Sequence, residues 1–289
     1  MTLGSLPHYI LLPVWLFLRY RPRPSTSDER FLSDVLWGQF CLYLAFRIRD
    51  DLADNDADPG LLVFAPGLLE LESIRVSSRH FPPSAQFWKF FFRSVETTVK
   101  GLVQSDAHER MQNASVRMLL KDYAKASAIF TVGAGAICSR YSRMRDFNRT
   151  VLFWREMAVA GQLLDDLADL EEDLCRHRFN SVVRIMLGRR LPEFARSNLA
   201  LASVKMELMK GGLYRVAQMV LDRIDRAEKA LLPIGGGIPY PGLIGYRESI
   251  EQMRWSAHRK SVQLLFSRVR GGQKKKPFKG KSPHGRSPR

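Results

Sequence analysis

The pentapeptide Asp-Asp-Leu-Ala-Asp occurs twice, at 50–54 and 165–169. Each copy closes a long apolar stretch, Val35 to Ile48 in one case and Val151 to Leu164 in the other. At about 100° per residue, helical positions i and i+4 share a face. On a helix, Asp50 would therefore stand beside Asp54, and Asp165 beside Asp169. Like charges at that spacing repel. A helix tolerates the repulsion where its end meets water or where a cation collects the carboxylates, and hard oxygen donors of this kind suit Mg²⁺. One such cluster reads as a solvated helix end. Two, each at the rim of an apolar helix, read as facing carboxylates above a hydrophobic interior.

The rest of the chain agrees with a helical frame. Strand signals are weak, and apolar residues recur at helical intervals, so the expected class is all-α, a single-domain helical bundle. Helices are expected over about 28–54, 61–78, 84–104, 107–122, 123–142, 147–175, 191–210, 213–232 and 243–269, with a Gly- and Pro-rich loop at 235–242. The expected organisation is an N-terminal docking helix and linker over 1–24, a main helical domain over 25–270 and a basic tail over 271–289 with little to bury. The apolar stretch Leu6 to Leu18 contains Pro7 and Pro13. It falls short of the roughly 20 residues a spanning helix needs, which favours docking on the core over membrane contact.

The formal charge is +16, of which the acid-free tail supplies a large part through Lys274, Lys275, Lys276, Lys279, Lys281, Arg286 and Arg289. Such a tail attracts anionic headgroups or RNA, but its first reading is a solvated end, and nucleic acid is not the expected partner. Cys41, Cys138 and Cys175 are odd in number, lie in apolar or helical surroundings and form no CxxC pattern, which points to buried thiols in a reducing cytosol. The histidines show no ligand spacing, and His177 beside the second pentapeptide reads as a surface residue. The aromatic run Phe87 to Phe92 reads as core packing. Gly133 and Gly135 in an expected helix suggest close approach by a helix or a ligand.

The paired acidic motifs resemble those of class I isoprenoid synthases, and the second resembles the trans-prenyl diphosphate synthase (polyprenyl synthetase) branch. That branch carries a glutamine three residues before its second DDxxD, as Gln162 precedes Asp165 here. Its Lys-Thr pair and small-residue helix are partly matched by Lys125-Ala126-Ser127 and Gly133-Ala134-Gly135-Ala136. The match runs from about residue 30 to 185. It departs where the branch has an N-terminal Gly-Gly-Lys-Arg, an Arg-Arg pair after the first motif and a Gly-Lys after the second. This chain has Arg19-Tyr20-Arg21-Pro22-Arg23-Pro24, Asn55-Asp56-Ala57-Asp58 and Arg176-His177-Arg178 there. Several of those family positions hold the homoallylic co-substrate.

The resemblance implies the class I isoprenoid synthase fold and a Mg²⁺-dependent ionisation of an allylic isoprenoid diphosphate, leading to prenyl transfer onto isopentenyl diphosphate. It implies metal binding by Asp50, Asp54, Asp165 and Asp169, with Asp51 and Asp166 beside them binding substrate. Lys125 would bind the diphosphate, helped by Arg49, Arg176 or Arg178, and Gln162 would orient substrate or cation. Phe46, four residues before Asp50, would limit the depth open to the hydrocarbon tail. A homodimer and a cytoplasmic location, with peripheral membrane contact through the N-terminal helix or tail, belong to the same expectation. Three other readings stay open: a terpene synthase acting on one diphosphate, a head-to-head synthase, and a non-enzymatic basic helical protein that binds RNA or membranes.

Overall fold

The structure is a computed structural model and describes residues 8–53, 60–111, 113–188 and 200–272. Among these residues there are helices and no strand. The chain runs through α1 (His8–Tyr20), α2 (Thr26–Ala53), α3 (Ala65–Ser78), α4 (Gln86–Arg110), α5 (Val116–Ala126), α6 (Thr131–Arg140), α7 (Met144–Ala168), α8 (Leu170–Cys175), α9 (Ser181–Leu187), α10 (Ala200–Glu207), α11 (Leu213–Leu231) and α12 (Ile244–Gly272). The all-α expectation holds. Residues 273–289, most of the basic tail, lie outside the described residues.

Three expected boundaries move, each for a local reason. The helix α4 continues to Arg110, where Met111 turns extended, and α5 starts behind Ser115, whose Oγ accepts the Met118 amide as an N-cap. The helix expected over 123–142 is divided by a 3₁₀ turn at Ser127–Phe130. The helix expected over 147–175 stops inside the second pentapeptide: Asp169 leaves helical geometry at φ −91°, ψ 12°, and α8 begins after it. Carboxylates at a helix C-terminus oppose the macrodipole, which disfavours continuing the helix through them.

The core forms around α6, which packs against α1, α2, α4 and α7. Thr131 to Cys138 are all buried. Gly135 answers the question posed by the sequence, because a Cβ there would run into the Phe90 ring of α4; the close approach is by a helix and not a ligand. The Gln39 side chain of α2 bridges to the same segment, accepting from Gly133 N at 2.7 Å and donating to Ile129 O at 3.2 Å. A buried amide satisfied at both ends fixes the register of α2 on α6. The aromatic run packs inward through Phe87 and Phe91, with Phe87 stacked 4.1 Å from Phe81.

The helix α1 lies on α2 and α6 and buries Leu11, Leu12, Leu16 and Phe17. The helix α2 is long and apolar enough to cross a membrane by length and composition, and here it packs against α1, α3 and α6. Of the three thiols, Cys41 and Cys138 are buried as expected. Cys175 is exposed, which corrects the expectation: it ends the short α8, whose only buried residue is Leu170.

Candidate functional site

The C-terminal end of α2 and the C-terminal end of α7 open onto one cleft of about 870 Å³. The first pentapeptide contributes Asp50, Asp51 and Ala53, and the second Asp165, Asp166 and Asp169. Asp54 lies outside the described residues. The helix α4 supplies an apolar strip of Val99, Leu102 and Val103, and Phe46 of α2, 7% exposed, adds an aromatic face. Two acidic clusters far apart in sequence therefore share a cavity with a hydrophobic wall.

Around the cleft stand nine carboxyl side chains, which are Asp50, Asp51, Asp106, Glu109, Asp165, Asp166, Asp169, Glu172 and Asp173. They face five guanidinium groups, Arg47, Arg49, Arg110, Arg176 and Arg178. Arg47 lies 3.0 Å from Asp51 and 3.7 Å from Asp50. Arg49, its guanidinium 5.5 Å above the Phe46 ring, is anchored by both oxygens of Glu70 on α3. Arg176 pairs with Glu172 at 2.8 Å, and Arg178 approaches Asp106 at 3.7 Å.

The members of the second pentapeptide do different things. Asp165 faces the cleft; partial burial and the neighbouring Asp169 charge hold its carboxyl above the ordinary aspartate range, with Arg47 acting in the opposite sense. Asp169 donates its amide to the Asp165 carbonyl at 2.8 Å, so the two remain close although Asp169 is outside the helix. Asp166 is 2% exposed. It accepts from the Ser181 amide at 2.8 Å, the Ser181 hydroxyl, Gln162 Nε2 at 2.9 Å and the Tyr123 hydroxyl at 3.3 Å. Burial nonetheless outweighs these donors and pushes its pKa up to about 6.

Behind Asp166 lies a second layer. Burial pushes Glu109 up to about 7, helped by the charges of Asp166 and Asp173 and opposed by its hydrogen bond from Tyr123, 2.9 Å away. Tyr123 has one hydroxyl proton and two carboxyl neighbours, so protonation of Glu109 near neutral pH relieves the shortage of donors. Asn180 donates to Asp173 at 2.6 Å and to the Asp166 carbonyl at 2.9 Å, while its own oxygen caps α9. The buried Arg184 ties α9 to the end of α4 and to the connection that follows it, through the His108 and Ala114 carbonyls at 2.9 and 2.7 Å.

Of the residues singled out from the sequence, the cleft brings together Phe46, Arg49, Asp50, Asp51, Gln162, Asp165, Asp166, Asp169, Arg176 and Arg178. Lys125 is held elsewhere: its ammonium sits 2.7 Å from the buried Asp122 and 2.5 Å from Gln104. The i,i+3 spacing to Asp122 explains this, since that pair closes on the surface of α5. Gln162 turns its amide to Asp166. Arg47, Asp106, Glu109, Tyr123, Glu172 and Asp173 were missed by sequence reasoning. Arg47 was legible as a base one turn before the first cluster, and Glu172 and Asp173 as a continuation of the second. Glu109 and Tyr123 carry no local signal.

Among the described residues, no three histidine, cysteine, aspartate or glutamate side chains stand close enough together to hold a metal ion unaided. Mg²⁺ does not require such a cage, because it keeps several waters and binds through one or two carboxylates plus phosphate oxygens. The donor chemistry of Asp50, Asp51, Asp165 and Asp169 therefore fits Mg²⁺. No family model matches the chain, and no curated protein or solved structure matches it.

Proposed function

We propose that the cleft binds an allylic isoprenoid diphosphate together with Mg²⁺ and ionises it, within a fold of the class I isoprenoid synthase type. The observation that carries this reading is the convergence of both pentapeptides on one cavity that has an apolar wall. With nine carboxyl groups against five guanidiniums, the cleft repels a bare anion, so an anionic ligand needs cations to enter. An oxygen-rich rim beside a hydrocarbon wall suits a molecule with a diphosphate at one end and an apolar chain at the other.

Asp50, Asp165 and Asp169 would hold Mg²⁺, with Asp51 beside them. The bound metal supplies Lewis acidity that stabilises the departing diphosphate. The cleft arginines would contact phosphate oxygens, for which a guanidinium is well shaped. Phe46, Val99, Leu102 and Val103 would exclude water from the allylic chain, and the Phe46 face favours a nearby carbocation. Asp166 and Gln162 would act as positioning residues, fixing the end of α7 against α9.

Prenyl transfer to isopentenyl diphosphate is the first form of this reaction. A terpene synthase acting on one diphosphate is the second; the missing Arg-Arg and Gly-Gly-Lys-Arg segments favour it, and Lys125, the match that favoured prenyl transfer, is engaged by Asp122 and Gln104. Incubation with Mg²⁺ and geranyl, farnesyl or geranylgeranyl diphosphate, with and without isopentenyl diphosphate, followed by mass spectrometry, tests both. A longer prenyl diphosphate formed only with the co-substrate supports elongation. A hydrocarbon or alcohol formed without it supports the second form, and no turnover of any substrate overturns the proposal.

A further inference from the structure

Resting on the diphosphate reading, we infer that Arg47 is an exchangeable cation of the cleft. It neutralises the first acidic cluster when no divalent metal is bound, and contacts the ligand's phosphate once metal occupies the carboxylates. The geometry motivates both halves. Arg47 sits one turn before the first pentapeptide, and its two terminal nitrogens reach Asp50 at 3.7 Å and Asp51 at 3.0 Å. A guanidinium paired with two carboxylates would compete with a divalent cation for them. Arg47 lines the same cavity as Asp165 and Asp169 of the second cluster.

The pairing is easily exchanged. The Arg47 side chain is 58% exposed, with Asp50 48% and Asp51 34%. Exposed i,i+3 and i,i+4 pairs are weak, so a divalent cation displaces them readily. Once displaced, the guanidinium still lines the same cavity, with a planar fork that matches phosphate oxygens. Arg49 is placed differently, because both oxygens of Glu70 anchor it to α3.

The two halves predict changes of opposite sign in one variant. In Arg47→Gln, Mn²⁺ alone, followed through its free electron-paramagnetic-resonance signal, should bind several-fold more tightly than in the wild type, because the competing cation is gone. Inorganic pyrophosphate in saturating Mg²⁺, followed by titration calorimetry, should bind several-fold more weakly. Arg47→Lys should restore the metal competition but only part of the pyrophosphate affinity, since the ammonium lacks the fork. Circular dichroism checks that the fold is retained. Unchanged affinities, or changes of the same sign, overturn the assignment while leaving the cleft reading intact. Failure of the wild-type protein to bind pyrophosphate with Mg²⁺ overturns the cleft reading, and the role of Arg47 with it.

Discussion

The Gln162 amide nitrogen lies 2.9 Å from the Asp166 carboxylate one turn further along α7. Gln162, expected to orient substrate or cation, lines the cleft while its amide nitrogen donates to Asp166. Its partner is buried and receives donors from α5 and α9 as well, so Asp166 joins three helices at the floor of the cleft.

Gln162→Leu removes one of those donors and leaves the others. The expected loss of stability is about 1–3 kcal/mol, the range for an under-satisfied buried charged group. Urea denaturation measures it as a lower midpoint at unchanged slope. A midpoint equal to that of the wild type would show that the hydrogen bond is not part of the framework.

Glu109 and Asp166 set a pH dependence opposite to that of most carboxylates. Their folded pKa values, about 7 and about 6, lie above the ordinary range of about 4. Between those limits the folded chain holds protons that the unfolded chain has released. Their contribution is therefore fully present below about pH 4 and is lost as pH rises through about 6 to 7. Glu109→Gln removes the titration while keeping the shape, so the variant's stability relative to wild type should improve as pH rises from 5 to 8. Denaturation curves across that range check the sign; a difference that does not vary with pH contradicts it.

Gly135→Ala places a methyl group against the Phe90 ring. Overpacking of this kind destabilises by about 1–3 kcal/mol. Phe90→Leu in the same chain should relieve part of it, and the non-additivity of the two changes, read by thermal denaturation, is the test.

Cys175 is exposed, whereas Cys41 and Cys138 are buried, and burial pushes the Cys138 thiol up to about 12. In native protein one thiol per chain should react quickly with a maleimide, with all three reacting after denaturation. Fast labelling of Cys138 in the native state would contradict the packing of α6.

What the sequence made legible follows from where each signal lives. Helical periodicity is local, and so the all-α class and the span of α2 were readable. The pentapeptides could be seen to need a common cavity because two apolar helices each ended in the same acids. The break at Asp169 depends on a balance between propensity and helix-end electrostatics that periodicity does not register. Glu109 lies in Ser-Asp-Ala-His-Glu-Arg, which reads as a solvated helix end; only long-range contacts, with Phe179 N and Arg184 donating to its carbonyl and Tyr123 to its carboxyl, make it a half-buried acid. Lys125 shows the converse, for it stands where the resemblance places a phosphate ligand, yet its close neighbour Asp122 takes the ammonium.

The central claim is that the two acidic clusters act together on one metal-bound diphosphate. Calorimetric titration with a non-hydrolysable farnesyl thiodiphosphate, with and without Mg²⁺, in wild type, Asp50→Asn and Asp165→Asn, tests it most directly. The account predicts binding that requires Mg²⁺ and is lost or weakened by at least an order of magnitude in either variant. Binding without metal, or binding retained in both variants, would contradict it.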